Sequence, residues 1–486
     1  MRDHLLFHVN GRPHRVSGPA AFRSLSDYLR QDLGLTGTKI VCAEGDCGAC
    51  SVLVGRPGEA AGGPLRYVSV DACIYPLHQC DGAHVVTVEG LSDGTELHPV
   101  QEAMVACHGS QCGFCTPGFV VALAGLYENR PKVDEAAVRH ACTGNLCRCT
   151  GYVQIIESAL AVDASKVRRL ADRYETPEMR AELSAAGASA VSLTAEGRTF
   201  FKPASLSEAV AFKAARPEAV IVAGGTETGV WANKRAVHPP VVMSLLGVPG
   251  LSAITREGDT VAMGANTTWT AVEEFFAPLL PEFGEICRRF GSPQIRNVGT
   301  LVGNIANGSP IADSLPLLMV TGAELEIAGP KGARRAKLDG FYTGYKKKAL
   351  AADEIIARVL LPLPRPDETL KLYKVSRRTD MDISTFGAAV LVRRSGSLIT
   401  HAAIAYNGVG ATVARLPKTE AALVGRPFAE DTFAAAGRTA RAEISPITDV
   451  RGGRDFRLQL AENILRRFFA ECSGSGEPSA ASEAAG

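Results

Sequence analysis

Apolar and polar positions recur with different periods along the chain, and the changes of period divide it. Residues 5–9 and 12–16 flank Asn10-Gly11, a pair suited to a two-residue hairpin turn. Leu25, Leu29 and Leu33 then recur at helical spacing over 24–33. Strand-like runs follow at 65–70 and 85–88. From about 95 to 165 the period is helical. Thr116 is placed to cap a helix with Pro117 at its first position, and Phe119, Val120, Leu123 and Leu126 form its apolar stripe. A helix over 152–162 would bury Val153, Ile156 and Leu160. Residues 166–196, charged and then Ala/Ser-rich, read as a surface linker. Strands and helices alternate over 197–366. Strands at 388–392 and 402–406 precede a final helix with Phe456, Leu460, Ile464 and Phe468 on one stripe. The tail 473–486 is mostly Ser, Gly, Ala and Glu, and is expected to be disordered. No internal repeat is visible.

The chain of 486 residues is long enough for about three domains at roughly 150 residues each. With 52 Lys plus Arg against 51 Asp plus Glu, it has no general basic surface for nucleic acid, so no such partner is expected. No uninterrupted apolar run approaches the roughly 18 residues that suggest a membrane span, so no membrane association is expected either. Residues 1–8 lack the apolar stretch of a signal peptide, and a cytoplasmic location follows as the expectation. Eleven of the 13 cysteines fall in the first third of the chain. Without a secretion signal, such clustering points to metal or redox chemistry rather than to disulfides.

Cys42-x4-Cys47-x2-Cys50, followed by Cys73, has the spacing of a plant-type ferredoxin [2Fe–2S] site. Gly45 and Gly48 let the loop curl and turn backbone N–H groups toward the sulfurs. A structural zinc site is the alternative, but zinc usually pairs two Cys-x2-Cys units. A second group combines Cys112-x2-Cys115 with Cys147-x-Cys149. Taken alone these two pairs could hold zinc or an iron–sulfur cluster. Cys80, Cys107, Cys142, Cys287 and Cys472 are left over and read as small core residues.

The segments Gln111–Gly118 and Gly144–Tyr152 resemble the helical [2Fe–2S] domain of the molybdenum hydroxylase family, which includes xanthine dehydrogenase and aldehyde oxidase. The order, ferredoxin domain and then helical domain, matches as well. Two later stretches extend the resemblance: 219–223, an expected buried strand running into Gly224-Gly225-Thr226-Glu227-Thr228-Gly229, and residues 294–313. Small residues there allow a backbone to approach a phosphate.

The resemblance implies an α+β multidomain fold. Its parts are a β-grasp ferredoxin-like domain (1–90), a helical [2Fe–2S] domain (91–165), a linker (166–196), a two-part α+β FAD-binding domain (197–366) and an α+β C-terminal flavoprotein domain (367–472). It also implies FAD contacts at Val222, Ala223, Gly224, Gly225, Thr226, Glu227, Thr228, Gly229, Val230, Phe290, Thr300, Gly303, Asn304, Asp313, Ile356 and Lys374. Val302 departs from a Gly common in the family and tolerates positive φ badly. Gly408-Val409-Gly410 mimics a dinucleotide fingerprint, but Val413 and the lack of a following helix argue against one.

Two [2Fe–2S] clusters move single electrons, NAD takes a hydride, and a flavin connects the two regimes. Because the family's molybdenum-binding region is not matched, the expectation is the electron-transfer small subunit of a bacterial two-subunit xanthine dehydrogenase. Its molybdenum–pterin cofactor would lie on a large partner subunit, in a heterotetramer of two small and two large chains. Electrons from the oxidation of hypoxanthine and xanthine to urate would pass from the Cys112/Cys115/Cys147/Cys149 cluster to the Cys42/Cys47/Cys50/Cys73 cluster, then to FAD and NAD. No substrate-oxidising residue is expected on this chain. Gln111 would touch the partner's pterin, and the loop 376–382 would lie near nicotinamide. The same role in a hydroxylase of aldehydes or N-heterocycles is the alternative; a zinc-stapled scaffold without redox function is the alternative of a different class.

Overall fold

The computed structural model describes residues 1–58, 63–94, 96–130 and 132–473. All of the expected disordered tail except Ser473 lies outside the described residues. The chain forms two compact units. The first comprises Met1–Ser252, Thr268–Thr270 and Gly291–Thr300, and the second comprises the remainder.

In the first unit, β1 (Leu5–Val9) and β2 (Arg12–Val16) form the hairpin that Asn10-Gly11 suggests, with φ of 48° and 81° at the turn. With β3 (Ser51–Pro57), β4 (Leu65–Asp71) and β5 (His84–Val86) they make a mixed sheet ordered β2-β1-β5-β3-β4, β1 parallel to β5. The helix expected over 24–33 is shorter and uneven: an α-turn at Leu25–Asp27, capped by Ser24, passes into a π-turn at Tyr28–Asp32. The strand expected over 85–88 stops at Val86, and a short helix, Val88–Leu91, begins two residues later.

Helices Pro99–Ala106, Thr116–Asn129, Glu135–Cys142 and Val153–Leu160 follow. Thr116 does not cap its helix. The chain is already helical at Cys115, and the Thr116 hydroxyl donates to Ser110 Oγ instead. The Val153–Leu160 helix buries Ile155, Ser158 and Ala159, not the expected stripe; Val153 and Leu160 are exposed. The Tyr127 hydroxyl donates to the Ala159 carbonyl (2.6 Å), which draws in the small-residue face.

Residues 166–196 are not a surface linker. They form helices Leu170–Tyr174 and Pro177–Ala188 and then β6 (Val191–Ala195), and Leu170, Met179, Leu183 and Ala186 are buried. An ion cluster holds them. Asp81, fully buried, pairs with Arg2 (2.7 Å) and Lys202 (2.6 Å), and Arg2 and Lys202 both donate to the Ala186 carbonyl. β6 joins β7 (Arg198–Lys202), β8 (Val220–Val222) and β9 (Val241–Ser244) in a sheet ordered β6-β7-β9-β8. β8 is only half-buried before Val222.

In the second unit, β10 (Ile254–Glu257), β11 (Thr260–Gly264), β12 (Glu324–Gly329) and β13 (Gly332–Lys337) belong to a larger sheet, and β14 (Tyr342–Gly344) pairs with β15 (Lys347–Lys348). β16 (Ile355–Pro362) completes the antiparallel order β10-β11-β16-β12-β13. β17 (Glu368–Val375), β18 (Phe386–Ser395), β19 (Leu398–Asn407) and β20 (Ala414–Arg415) form an antiparallel sheet in that order, which packs with helices Glu430–Glu443 and Arg454–Cys472. Ile464 and Phe468 are buried there as expected, but Phe456 is exposed, and Leu458, Ala461 and Leu465 complete the buried face. Antiparallel pairing around Gly408-Val409-Gly410 excludes a dinucleotide fold at that point. Among the described residues, no helix is long and apolar enough to cross a membrane.

Candidate functional site

The first four predicted ligands come together in the first unit. Cys47, Cys50 and Cys73 are buried and Cys42 half-buried. The neighbouring Cys47 and Cys73 thiols hold the Cys42 pKa down, while Cys42 and Cys50 push that of Cys73 up. Gly45 and Gly48 have φ of 76° and 63°, as the tight loop requires. The N–H groups of Glu44 and Asp46 point at Cys42 Sγ, at 3.5 and 3.4 Å. The Cys50 thiol donates to buried Asp71, whose pKa is pushed up to about 7, first by burial and then by the field of Cys42. Four soft donors in a mostly buried, N–H-lined loop suit the [2Fe–2S] group.

The second quartet also converges. Burial and the neighbouring Cys147 thiol push the Cys115 pKa up to about 12, and Sγ atoms lie 3.7 Å apart from Cys147 to Cys149 and from Cys149 to Cys112. The Thr150 N–H and hydroxyl face Cys147 Sγ at 3.4 and 3.0 Å, and Cys147 N–H donates to the Tyr152 hydroxyl. Unlike the first set, this one reaches solvent: Cys112 and Cys149 are exposed, as are Gln111, Phe114 and Leu146.

The two cysteine loops touch. Leu146 N–H donates to the Cys47 carbonyl (3.0 Å), and Asn145 Nδ2 donates to the Gly48 carbonyl (3.1 Å). A Cβ on Gly48 would lie 2.4 Å from the Gly144 carbonyl, and one on Gly118 would lie 2.2 Å from the Gly48 carbonyl. Gln294, fully buried, donates to Ser51 Oγ and Asn145 Oδ1, tying the later Gly-rich stretch to both loops.

The predicted flavin residues divide between the units. In the first, β8 delivers Val222, Ala223, Gly224, Gly225, Thr226 and Glu227 to the start of the helix Thr228–Arg235, which carries Gly229 and Val230. Gly225 has φ of 75°. A Cβ on Gly224 would sit 1.9 Å from the Val298 carbonyl, so only glycine brings the two Gly-rich stretches together. Thr300 is buried and bridges to Thr268. A glycine turn at a helix N-terminus suits a pyrophosphate. The same loop abuts the first quartet: Gly229 packs on the Ile74 carbonyl, and Asn233 Nδ2 donates to the carbonyls of Cys73 (2.8 Å) and Ala43 (3.0 Å).

In the second unit, Gly303 and Asn304 lie on the helix Leu301–Asn307, and Asn304 accepts from Ser314. Val302 is buried inside that helix, away from any positive φ, so it packs rather than strains. Asp313 pairs with Lys374 (2.7 Å) and accepts from Ser384 (2.5 Å). Lys374 also donates to the Arg289 carbonyl, next to half-buried Phe290. Ile356 is buried in β16. The loop 376–382 closes on itself, Arg378 N–H donating to Asp382, and Arg289 reaches its Thr379 carbonyl.

Sequence reasoning did not single out Asn233, Asp71 or Gln294 as separate site residues. Their partners lie far along the chain or outside any motif. Asn145 had a signal, since it stands inside the segment that carries Cys147 and Cys149.

Residues 7–73 match the 2Fe-2S iron-sulfur cluster binding domain, and 87–160 match the [2Fe-2S] binding domain. Residues 194–364 match the FAD binding domain in molybdopterin dehydrogenase, and 371–472 match the CO dehydrogenase flavoprotein C-terminal domain. A carbon monoxide dehydrogenase structure from Hydrogenophaga pseudoflava is 31% identical, with a TM-score of 0.53, covering 55% of this chain and 94% of that one. The chain belongs to the molybdenum hydroxylase family. Within that family it is 31% identical to xanthine dehydrogenase of Drosophila subobscura, over 96% of this chain and 39% of that protein. It is 30% identical to aldehyde oxidase 4 of Cavia porcellus, again over 96% and 39%. The chain thus spans about two-fifths of the length of the curated relatives it matches. This molybdenum hydroxylase portion comprises the iron–sulfur and FAD electron-transfer domains.

Proposed function

We propose that the chain is the electron-transfer subunit of a xanthine dehydrogenase, an oxidoreductase that passes electrons from a molybdenum centre on a separate large subunit to NAD. The observation that carries the reading is the gathering of eight cysteines into two quartets whose loops touch through Leu146 and Cys47. When bound, the clusters supply one-electron steps, and FAD links them to hydride chemistry.

Cys112, Cys115, Cys147 and Cys149 hold the cluster that receives electrons, at the exposed surface where a partner's donor can approach. Cys42, Cys47, Cys50 and Cys73 hold the second, and the 222–230 loop next to Cys73 holds the FAD pyrophosphate. The reading assigns further FAD contacts to Thr300, Gly303, Asn304, Asp313, Ile356, Lys374 and Phe290. Gln111 reaches the partner's pterin. The loop 376–382, bonded to Arg289 beside Phe290, lies near the nicotinamide. A separate large subunit is supported by the Hydrogenophaga chain, which this portion alone covers almost entirely. A heterotetrameric assembly in the cytoplasm accompanies the reading.

Near-equal identity to aldehyde oxidase supports the second reading, the same role for aldehydes or N-heterocycles. Anaerobically purified chain is expected to carry about four irons and one FAD, as two [2Fe–2S] clusters require. Stoichiometric zinc without iron would overturn both readings. With the partner present, the substrate that drives NAD reduction separates them.

A further inference from the structure

A short stretch of the first unit grips both iron–sulfur modules at once. The single helical turn Pro293–Arg296, capped by the Ser292 hydroxyl, bonds to each side. Toward the ferredoxin-type module, Gln294 Nε2 donates to Ser51 Oγ (3.1 Å), and Asn297 Nδ2 donates to the Ser69 carbonyl (2.9 Å). Toward the helical module, Gln294 Nε2 donates to Asn145 Oδ1 (2.9 Å), and the buried Arg296 guanidinium donates to His140 Nε2 (2.9 Å). Gln294 thus reaches both modules with one amide.

The network fixes how that amide is turned. The Ser51 hydroxyl gives its proton to the Gly48 carbonyl (2.7 Å), and Asn145 Nδ2 donates to the same oxygen (3.1 Å). Ser51 Oγ and Asn145 Oδ1 therefore present lone pairs to Gln294, and its NH2 can serve both. Its other end, Oε1, is buried without a partner. An unpaired buried carbonyl costs stability, so stability alone would favour an apolar side chain of similar length here. What the amide does is hold one acceptor from each module at a fixed place around Gly48. Gly48 directly follows Cys47, whose carbonyl accepts from Leu146 N–H (3.0 Å), and Leu146 directly precedes Cys147. The bond that joins a ligand of one quartet to a ligand of the other lies inside the frame that Gln294 closes.

We propose that Gln294 is a positioning residue for electron exchange between the two quartets. It acts through Ser51, next in sequence to Cys50, and through Asn145, two residues before Cys147. One electron passes per event; one site is oxidised as the other is reduced, and no bond forms or breaks. The inference rests on the reading that both quartets hold [2Fe–2S] clusters.

The test uses the full chain with iron and FAD in place. Gln294→Met keeps the length of the side chain and removes both donors. Low-temperature EPR of the dithionite-reduced chain reads how far the two cluster signals broaden each other, which depends on their separation and orientation. That broadening should change in Gln294→Met, while iron, FAD and the g values of each cluster stay as in the parent chain. Flash reduction by a photoexcited deazaflavin, followed by rapid-freeze EPR, times the passage of one electron between the clusters. The rate should fall at least about fivefold, within the roughly 100-fold that a 1 Å misplacement can cost. Asn129→Ala is the control, because Asn129 Nδ2 joins the same two modules at the Tyr67 carbonyl (2.9 Å), outside the cysteine loops. Both variants should lower stability to urea, but the broadening and the rate should move in Gln294→Met alone. Should Gln294→Met lose iron, Ser51→Ala decides: it removes one of the two acceptors, and a smaller shift in the same direction is expected. A parent chain with fewer than about four irons would overturn the two-cluster reading itself. With the irons present, unchanged broadening and rate in these variants, or equal changes in Asn129→Ala, would overturn the role of Gln294 and leave that reading standing.

Discussion

The two cysteine quartets each present four thiols and differ in almost everything around them. The first is sunk in a β-sheet domain, backed by Asp71 and tied by Asn233 to the flavin-type loop. The second is carried between helices and leaves Cys112 and Cys149 exposed, with Phe114 and Leu146 beside them. A buried site favours a short path to an internal acceptor; an exposed site favours an external donor. The contrast is consistent with the proposed order, in which electrons enter at the exposed quartet and leave through the buried one.

Cysteine substitutions should break the comparison most completely. In the assembled enzyme, Cys115→Ser should abolish substrate-driven bleaching of both clusters and of FAD, and leave FAD reduction by NADH intact. Cys73→Ser should also block substrate-driven FAD reduction but leave one cluster reducible by substrate. Stopped-flow absorbance on FAD-loaded variants separates the two, and identical behaviour would contradict the direction. Next in size are the glycines. Gly48→Ala combines φ of 63° with a clash against the Gly144 carbonyl and should cost about 3 kcal/mol. Gly113→Ala, with φ of 80° and only Ser110 Oγ at 3.8 Å, should cost roughly 1–2 kcal/mol. Urea unfolding of the two variants checks the order.

Exposure gives a smaller, kinetic difference. A chelator should remove iron from the second quartet before the first, and the large subunit should slow that loss. EPR of the two clusters during chelation would show it; loss from the first quartet at the same rate would remove the distinction. The smallest effect is acid sensitivity. Burial holds the pKa of His78 and His84 down to about 3, and that of His98 down to about 4. The unfolded chain takes up these protons from pH 6.5 downward while the native state does not. Stability is therefore full above 6.5 and falls as pH drops toward the native values, by at most about 1.4 kcal/mol per histidine per pH unit. Two of the three imidazoles lie in or beside the first sheet, so hydrogen exchange at low pH should open β1 and β5 before the Thr116–Asn129 helix.

What was legible in the sequence was local or chemically constrained. Asn10-Gly11 fixes its hairpin within two residues, and a compact cluster restricts cysteine spacing. The 166–196 segment was illegible because its buried apolar residues, among them Leu170, Met179, Leu183, Val191 and Leu193, are diluted by charged and small residues. Its anchors, Arg2 and Asp81, lie far away in sequence. Periodicity picked Val153, Ile156 and Leu160, but the covered face is Ile155, Ser158 and Ala159, where the Tyr127 hydroxyl bonds to the Ala159 carbonyl. Asn233 and Cys73 are 160 residues apart, and no motif connects them.

The contact among Gly48, Gly118 and Gly144 makes the two iron–sulfur modules one exchangeable block. A chimera importing either module alone must also import the glycine that faces its neighbour. Otherwise a new methyl group meets a carbonyl oxygen at 2.2–2.4 Å. Module swapping in this protein is thus limited by two missing side chains rather than by the metal ligands themselves.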